Sequence, residues 1–600
     1  MTNLTQNARP HHNTHRSSSW RVLATASVFV FLTACQSSSL QTNKTASVSG
    51  DGISHDIILS DGLASNYLMA RQAVYGNDLP AATDFYTKSL IFDDNNVVLL
   101  RHSFITHYQS GNINEAAEIA RRMESLNYTM PLAQEPALIA SALSEDWDAV
   151  AALSDILSQS DTSLIVAGVA RAWALFAQDQ FAGAVGQMAE TAQLLKNEKG
   201  TIPAFMELQM AHLLEAAGKN IDALSILDDM RMIETLPPHI QLSIASAYHR
   251  LGQQQKARQI ISDNLSPSFD VKDILSRFDD GSNALLQKMT IRRGLAQSLL
   301  DTSWLDTEKT IRSLLLARAQ LALILDPDFE AAHFVIAQEY LAIDQLEPAL
   351  RHLNAIQDNN AYYLPSQLVY MSYLRRIDEV DKALAHVRML RTTRPDNARL
   401  ILVESDILRS IDRCAEAVPL YESLLNSAFD TSRLHRNLAI CLERTATTKE
   451  QEEIAERYFL SSLDRDPNDA FTLNYLGYWY ADTNRNLDDA IAYIQRAVEL
   501  RPSSGFFADS LGWVYYRLHD YDQAVIWLEK AIQLEPLDAI ITEHLGDVYW
   551  TVGRFYEAKY KWELARQQTD EADMLSRLEG KLKEADEDNG TPLLSYPYRN

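Results

Sequence analysis

The sequence has few glycines, few prolines and only three cysteines, and its charge is strongly one-sided. Its 20 glycines and 18 prolines in 600 residues are roughly half of ordinary usage, which argues against a turn-rich all-β fold and against disorder. The 54 basic and 80 acidic residues give a net charge of −26, so phosphate is repelled and no nucleic-acid partner is expected. The 46% of hydrophobic residues favour long helices, in several domains or a repeat array.

Sequence signatures of catalysis and of cofactor binding are also absent. The chain has no glycine-rich phosphate loop, nucleophile elbow, zinc-ligand spacing or His-Glu-x-x-His motif. The nearest fragment, Ala217-Gly218-Lys219, lacks the other residues of a phosphate loop. We therefore expect a protein that is not an enzyme and that holds no metal and no cofactor.

The first 34 residues have the pattern of an export signal. They contain no acidic residue and three arginines, followed by the apolar run Val22 to Leu32, which is too short to span a bilayer as a mature helix. The run ends in Leu32-Thr33-Ala34-Cys35, which resembles the lipobox of bacterial lipoproteins. A plain signal peptide with an incidental cysteine, or an uncleaved anchor, is the alternative.

The lipobox resemblance implies cleavage before Cys35 and attachment of acyl chains to Cys35, which would anchor the protein firmly to a membrane. Gln36 stands where inner-membrane lipoproteins usually carry Asp, so the resemblance implies the periplasmic face of the outer membrane. Residues 35–61 are rich in Ser, Thr, Asn and Gly and are predicted to form a flexible tether. In such an oxidising compartment Cys414 and Cys441 either form a disulfide or are buried packing residues.

A repeat of 34 to 35 residues is clearest near the C-terminus. Each unit has a Leu-Gly pair with a following tyrosine, and then an alanine: Leu476-Gly477, Tyr480 and Ala490; Leu511-Gly512, Tyr515 and Ala524; Leu545-Gly546, Tyr549 and Ala558. The pattern resembles the tetratricopeptide repeat, in which each unit is a pair of antiparallel helices. Small residues let the two helices approach closely, while the tyrosines are expected to fill the core.

The second-helix alanine recurs upstream with one long break between Ala257 and Ala349, which we interpret as a degenerate unit plus a loop-like insertion that bends or divides the array. The predicted fold is an all-α tetratricopeptide-repeat solenoid, an α-α superhelix that follows the signal peptide and tether. The predicted segments are the signal peptide 1–34, the tether 35–61, N-terminal repeats 62–261, the insertion 262–310, the C-terminal array 311–570, a capping helix 571–585 and a disordered tail 586–600.

In tetratricopeptide repeat proteins the first helix of each unit lines a concave, ligand-binding face. Carried over residue by residue, this resemblance implies a partner-binding groove formed by Asn474, Tyr478, Asp482, Asp509, Trp513, Tyr516, Arg517, Glu543, Asp547 and Trp550. The alternative for Trp513 and Trp550 is packing between adjacent units. Acidic and aromatic residues replace the basic and asparagine residues with which some relatives hold a C-terminal carboxylate, so an apolar peptide with some positive charge is the expected ligand.

These observations predict a lipid-anchored periplasmic scaffold that binds envelope proteins or peptides during envelope assembly or secretion. The alternative is a glycan-binding component of exopolysaccharide export or cell-wall maintenance, with sugars stacked on Tyr478, Trp513, Tyr516 and Trp550.

Overall fold

The computed structural model describes residues 62–76, 78–160, 163–199, 202–233, 236–266, 268–280, 288–302 and 309–587. Within these ranges the chain forms thirty α-helices and one short 3₁₀ helix, Pro131–Gln134, and no strand. The prediction of an all-α helical-repeat fold is confirmed. The signal peptide, the lipobox with Cys35, the tether up to residue 61 and residues 588–600 lie outside the described residues.

The described residues divide into two compact units, 62–373 and 374–587, and the division falls inside α18. The first unit contains α1 Leu63–Tyr75, α2 Leu79–Phe92, α3 Val97–Gln109, α4 Ile113–Ser125, α5 Glu135–Leu143, α6 Trp147–Leu157, α7 Leu164–Ala177, α8 Phe181–Lys199, α9 Ala204–Ala216, α10 Asn220–Met230, α11 Pro238–Arg250, α12 Gln254–Asn264, α13 Val271–Asp280, α14 Ile291–Thr302, α15 Lys309–Leu325, α16 Glu330–Ala342 and α17 Leu346–Ala355.

Helix α18, Tyr363–Arg376, carries the boundary. The second unit continues with α19 Val380–Thr393, α20 Ala398–Ser410, α21 Cys414–Glu422, α22 Ser432–Thr445, α23 Lys449–Arg465, α24 Ala470–Asp482, α25 Leu487–Leu500, α26 Gly505–Arg517, α27 Tyr521–Leu534, α28 Ala539–Thr551, α29 Phe555–Gln567 and α30 Ala572–Glu587. No helix of the described residues is at once long enough and apolar enough to cross a membrane.

The helices pair as hairpins because the second helix of each pair packs on the first through small residues. A Cβ atom on Gly512 in α26 would lie 2.6 Å from Leu528 Cγ in α27, and one on Gly477 in α24 would lie 2.8 Å from the carbonyl oxygen of Ala490 in α25. Ala490 and Ala524 are fully buried at these crossings. The repeat glycines and alanines are therefore the points of closest helix approach.

The break in the alanine ladder is helical rather than loop-like. Residues 262–310 include α13 and α14, and apolar residues at helical spacing, such as Leu295 and Leu299, are buried. Helix α14 packs on α7 and α9, while α15 packs on α3 and α5. Because α3, α5, α7 and α9 are the first helices of their hairpins, the chain covers the first-helix side of its own N-terminal repeats.

A buried polar network fixes α15 in this position. Arg318 of α15 donates a hydrogen bond of 2.8 Å to Glu135 Oε1 of α5, and both side chains are almost fully buried. Ser163 Oγ donates to the same oxygen (2.8 Å), and the Tyr108 hydroxyl of α3 donates to Glu135 Oε2. The buried carboxylate thus has partners on three sides, without which its burial would be costly.

The second unit is closed at its C-terminal end by α30 and is cross-linked near its start. Met574, Leu578 and Ala585 of α30 are buried in the same apolar cluster as Trp562 of α29. A disulfide joins Cys414 of α21 to Cys441 of α22, with their Cα atoms 4.8 Å apart.

Candidate functional site: the first-helix face of residues 374–587

In the second unit the first helices of the hairpins are α20, α22, α24, α26 and α28, and we call the surface they form the first-helix face. Helices α24, α26 and α28 contact one another directly, as do α20 and α22. Asp469 and Asp538 are the N-caps of α24 and α28: each side chain accepts hydrogen bonds from the second and third backbone N–H groups of its helix. Equivalent positions of successive helices therefore lie side by side.

The structure brings the predicted groove residues together on this face but buries several of them. Asn474, Tyr478, Asp509 and Glu543 are buried, Asp482 is exposed, and Trp513, Tyr516, Arg517, Asp547 and Trp550 are half-buried. The predicted core tyrosines Tyr480 and Tyr549 are buried, whereas Tyr515 is half-buried. Burial of a polar residue on this face therefore depends on the neighbouring helix, which the repeat pattern alone does not specify.

An ion pair under an aromatic ring forms the centre of the face. His544 Nδ1 of α28 lies 2.9 and 3.1 Å from the two carboxylate oxygens of Asp509 in α26. Burial acts to lower the pKa of His544, but the charge and hydrogen bond of Asp509 outweigh it, so the pKa is raised. The indole of Trp513 stacks on the imidazole with ring centroids 4.4 Å apart. Trp513 therefore packs against the next hairpin, and Tyr516 stacks beside it at 5.0 Å.

Several polar groups of the face have no hydrogen-bond partner among the residues that the structure describes. The Asn474 Oδ1 and Trp513 Nε1 atoms are buried and make no hydrogen bond. Arg517, one turn beyond Trp513, makes no hydrogen bond or ion pair with any residue that the structure describes. Burial raises the pKa of Tyr478, the charges of Asp482 and Asp509 raise it further, and the Arg517 guanidinium opposes them, so these groups lie close together.

The last helix occupies the end of the face at α28. Arg577 of α30 makes two hydrogen bonds of 2.9 Å to Glu543, and Lys581 bridges Glu543 (2.8 Å) and Asp547 (2.6 and 2.7 Å). Burial acts to raise the pKa of Glu543, but the hydrogen bonds and charges of Arg577 and Lys581 outweigh it and lower the pKa to about 2. Glu543 and Asp547 thus bind the chain's own C-terminal helix.

Trp550 packs at the same end of the unit, against aromatic residues of α29. Its ring lies 4.7 Å from that of Phe555 and 5.3 Å from that of Trp562. Both partners lie on α29, so these contacts are within the hairpin of Trp550 and not between adjacent units. Of the predicted groove residues on α24 and α26, Asp482 is exposed and Trp513, Tyr516 and Arg517 are half-buried, so these four form the accessible part of the first-helix face.

Comparison with known proteins identifies the repeat. Residues 507–538, which span α26 and α27, match the family model of the tetratricopeptide repeat. A TPR repeat-containing protein of Pseudomonas aeruginosa is 29% identical over 192 residues, which is 31% of this chain and 31% of that protein. The match therefore spans about a third of the relative's length.

Solved structures with a similar arrangement of helices are distant. The Cut9 and Hcn1 hetero-tetramer of the APC/C is 16% identical, covers 87% of this chain and 96% of its own, and has a TM-score of 0.36. A tetratricopeptide repeat protein from Parabacteroides merdae is 12% identical, covers 43% of this chain and 98% of its own, and also has a TM-score of 0.36.

Proposed function

Because the chain contains tetratricopeptide repeats, we propose that it is a scaffold that binds a peptide or protein partner on the first-helix face, at α24 and α26. The partner is a component of the cell envelope, and the protein is held by lipid on Cys35 at the periplasmic face of the outer membrane. The role is assembly or secretion rather than catalysis.

The observation that carries this proposal is the half-buried Arg517, which has no hydrogen-bond or ion-pair partner among the described residues and lies beside the stacked rings of Trp513 and Tyr516. An extended peptide has carbonyl oxygens that can accept hydrogen bonds from the Arg517 guanidinium. Trp513 and Tyr516 offer ring surface to an apolar side chain. In the first unit the corresponding side of α3 to α9 is covered by α14 and α15, so the proposed site is confined to the second unit.

Photo-crosslinking in living cells tests the partner proposal. A photoreactive amino acid at Tyr516 is expected to capture one or a few envelope proteins, which mass spectrometry then identifies. The matched control places the same group at Tyr556, which is 91% exposed on the second helix α29. Equal adducts from both positions, or none from Tyr516, would contradict the proposal.

Membrane attachment is proposed from the lipobox sequence, and the disulfide between Cys414 and Cys441 is in keeping with an oxidising compartment. A Cys35→Ser variant, which keeps the export signal, is expected to move from the membrane fraction to the soluble periplasmic fraction. The Cys414→Ser/Cys441→Ser variant is the control and is expected to stay with the membrane. Firm retention of the Cys35→Ser variant would contradict lipid anchoring.

The second candidate function is glycan binding, and the stacked pair of Trp513 and Tyr516 favours it, because sugar rings stack on exposed aromatic faces. This function predicts that the protein binds a cell-wall glycan. The binding should be lost when both rings are replaced by alanine. Capture of proteins but no glycan by the first-helix face would exclude this alternative.

A further inference from the structure

Five arginines gather at the opposite end of the same unit. Arg375 lies in α18, Arg399 and Arg409 lie in α20, and Arg433 and Arg436 lie in α22. In a chain whose 54 basic residues are outnumbered by 80 acidic ones, such a concentration on three neighbouring helices is unusual. We call these five residues the arginine cluster.

Two carboxylates of the described residues, those of Asp406 and Asp469, accept hydrogen bonds from members of the arginine cluster. Asp406 accepts hydrogen bonds from the Tyr421 hydroxyl (2.7 Å), Arg433 Nη2 (2.6 Å) and Asn437 Nδ2 (2.9 Å). Asp469 accepts from Arg436, Ser432 and Thr472. The other buried acid of α20, Glu404, pairs with Arg388 and Arg391 of α19.

Two members of the cluster have no counter-charge of their own. Arg375 and Arg399 make no hydrogen bond or ion pair with any residue in the described part of the chain, and the Arg399 Nε atom is buried. Burial lowers the pKa of Arg375, and the guanidinium groups of Arg409 and Arg433 lower it further against the opposing effect of Asp406. Arg433 and Arg436 thus hydrogen-bond to the two carboxylates, whereas Arg375 and Arg399 are influenced by the charge of Asp406 without bonding to it.

The chemistry of the cluster favours carboxylate groups as ligands. A guanidinium binds a carboxylate with two parallel N–H···O bonds. Several guanidinium groups on three helices can therefore bind several carboxylates spaced along one peptide. Helix α22, which carries Arg433 and Arg436, contacts α24, where the Tyr475 hydroxyl donates to Glu443 Oε2 of α22 (3.0 Å). With helix axes roughly 10 Å apart, the step from α22 to α26 is about 20 Å, or about six extended residues.

We propose that the arginine cluster binds an acidic segment of a peptide partner, whose apolar part lies on Trp513 and Tyr516. This inference rests on the proposed function and adds the charge of the ligand to it. It also reverses the expectation of a positively charged peptide: the acidic residues near α26 and α28 are paired with His544, Arg577 and Lys581, whereas Arg375 and Arg399 are not paired.

The test uses the full-length mature chain in detergent and two fluorescein-labelled peptides that differ only in having glutamates or glutamines at alternate positions. Fluorescence anisotropy at low salt is expected to show affinity at least about ten-fold higher for the glutamate peptide. Because the whole chain is strongly negative, general electrostatics would repel this peptide, so binding requires a local positive site.

The variant Arg375→Gln/Arg399→Gln is expected to weaken binding of the glutamate peptide by about ten-fold or more. Its circular dichroism should match that of the parent, because neither side chain holds another residue in place. The matched control, Arg496→Gln/Arg566→Gln, removes the same charge from surface ion pairs on α25 and α29 and is expected to leave the affinity unchanged.

Equal affinity for the two peptides, or equal loss in the two double variants, would overturn the proposal. So would displacement of the peptide by inorganic phosphate at matched ionic strength, which would indicate a site for small anions. If the arginine test fails while Tyr516 still captures a partner in cells, only this inference is wrong. If Tyr516 captures nothing, the proposed function itself is wrong.

Discussion

At the scale of single residues, close helix packing in the last hairpins depends on glycines that leave room for a neighbouring side chain. At Gly512, an added Cβ atom would meet Leu528 Cγ at 2.6 Å and the Leu528 backbone nitrogen at 3.2 Å. The backbone atom cannot move aside without shifting α27. The repeat glycine is therefore required by packing and not by backbone conformation.

We expect Gly512→Ala to lower the free energy of unfolding by about 2 kcal/mol or more, as overpacking of a close helix crossing does. The matched control is Gly580→Ala in α30, where an added Cβ would meet no atom within 4 Å. There alanine should stabilise the helix by about 0.5–1 kcal/mol. Thermal unfolding followed by circular dichroism separates the two, and equal effects would contradict the account of the crossing.

Asp301 of α14 is a buried acid, and His239 Nε2 lies 3.7 Å from its Oδ1 atom. Burial lowers the pKa of His239 to about 4, so this imidazole is neutral above about pH 5 and does not balance the charge of the carboxylate. Gln297 Nε2 donates to Asp301 Oδ1 at 2.7 Å, and the carboxyl group is fully buried. Burial raises its pKa from 3.8 to about 7, although the hydrogen bonds from Gln297 and Gln209 oppose the shift. A pKa that is higher in the folded than in the unfolded state means that the charged form is penalised on folding.

The contribution of Asp301 to stability is therefore expected to fall as the pH rises from about 4 to about 7, by roughly 2–3 kcal/mol between pH 5 and pH 8. In Asp301→Asn this pH dependence should be absent, and the variant should be the more stable protein near pH 8. Asp222→Asn, on the exposed surface of α10, is the control and should behave as the parent. Melting midpoints measured across this pH range provide the check, and parallel curves for parent and Asp301→Asn would contradict it.

The sequence correctly predicted burial where a residue packs at the crossing of the two helices of its own hairpin. The glycines, alanines and two of the three tyrosines of the repeat are buried where the pattern placed them. The pattern did not predict burial of Asn474, Asp509 or Glu543, because this depends on partners from other helices, such as His544 and Arg577. The arginine cluster was missed because its members are spread over three helices with no local motif.

At the scale of helices, α14 and α15 show why a break in a repeat need not be a loop. Their apolar residues pack on α3, α5, α7 and α9, and the pair Arg318 and Glu135 fixes the position of α15. Sequence alone could not reveal this, because an insertion that folds back on earlier repeats looks the same as one that projects outward. Only its partners distinguish the two.

The disulfide between α21 and α22 is expected to stabilise the second unit. It closes a loop of 27 residues, for which the chain-entropy model gives about 3 kcal/mol. We expect a reductant to lower the melting midpoint of the parent, whereas the Cys414→Ser/Cys441→Ser variant should melt lower and be insensitive to reductant. A thiol titration of the denatured, non-reduced mature chain should detect no free thiol, and two free thiols would contradict the cross-link.

At the scale of the whole molecule, the two units differ in what their first helices face. In residues 62–373 the first helices α3 to α9 are covered by helices of the same chain, and in residues 374–587 α30 covers α28. On α24 and α26, by contrast, Asp482, Trp513, Tyr516 and Arg517 are exposed or half-buried, and Arg517 has no hydrogen-bond or ion-pair partner in the described part of the chain. Because of this contrast, we assign the proposed partner-binding role to the second unit and not to the whole repeat array.

The most direct test of that assignment is the affinity of the partner captured from Tyr516 for two matched double variants. Tyr516→Ala/Arg517→Ala removes a ring and a cation from the first-helix face, and Tyr556→Ala/Arg566→Ala removes the same groups from α29. The account predicts a loss of about ten-fold or more for the first variant and no loss for the second. Equal affinity of both variants, or a greater loss for the α29 variant, would contradict it.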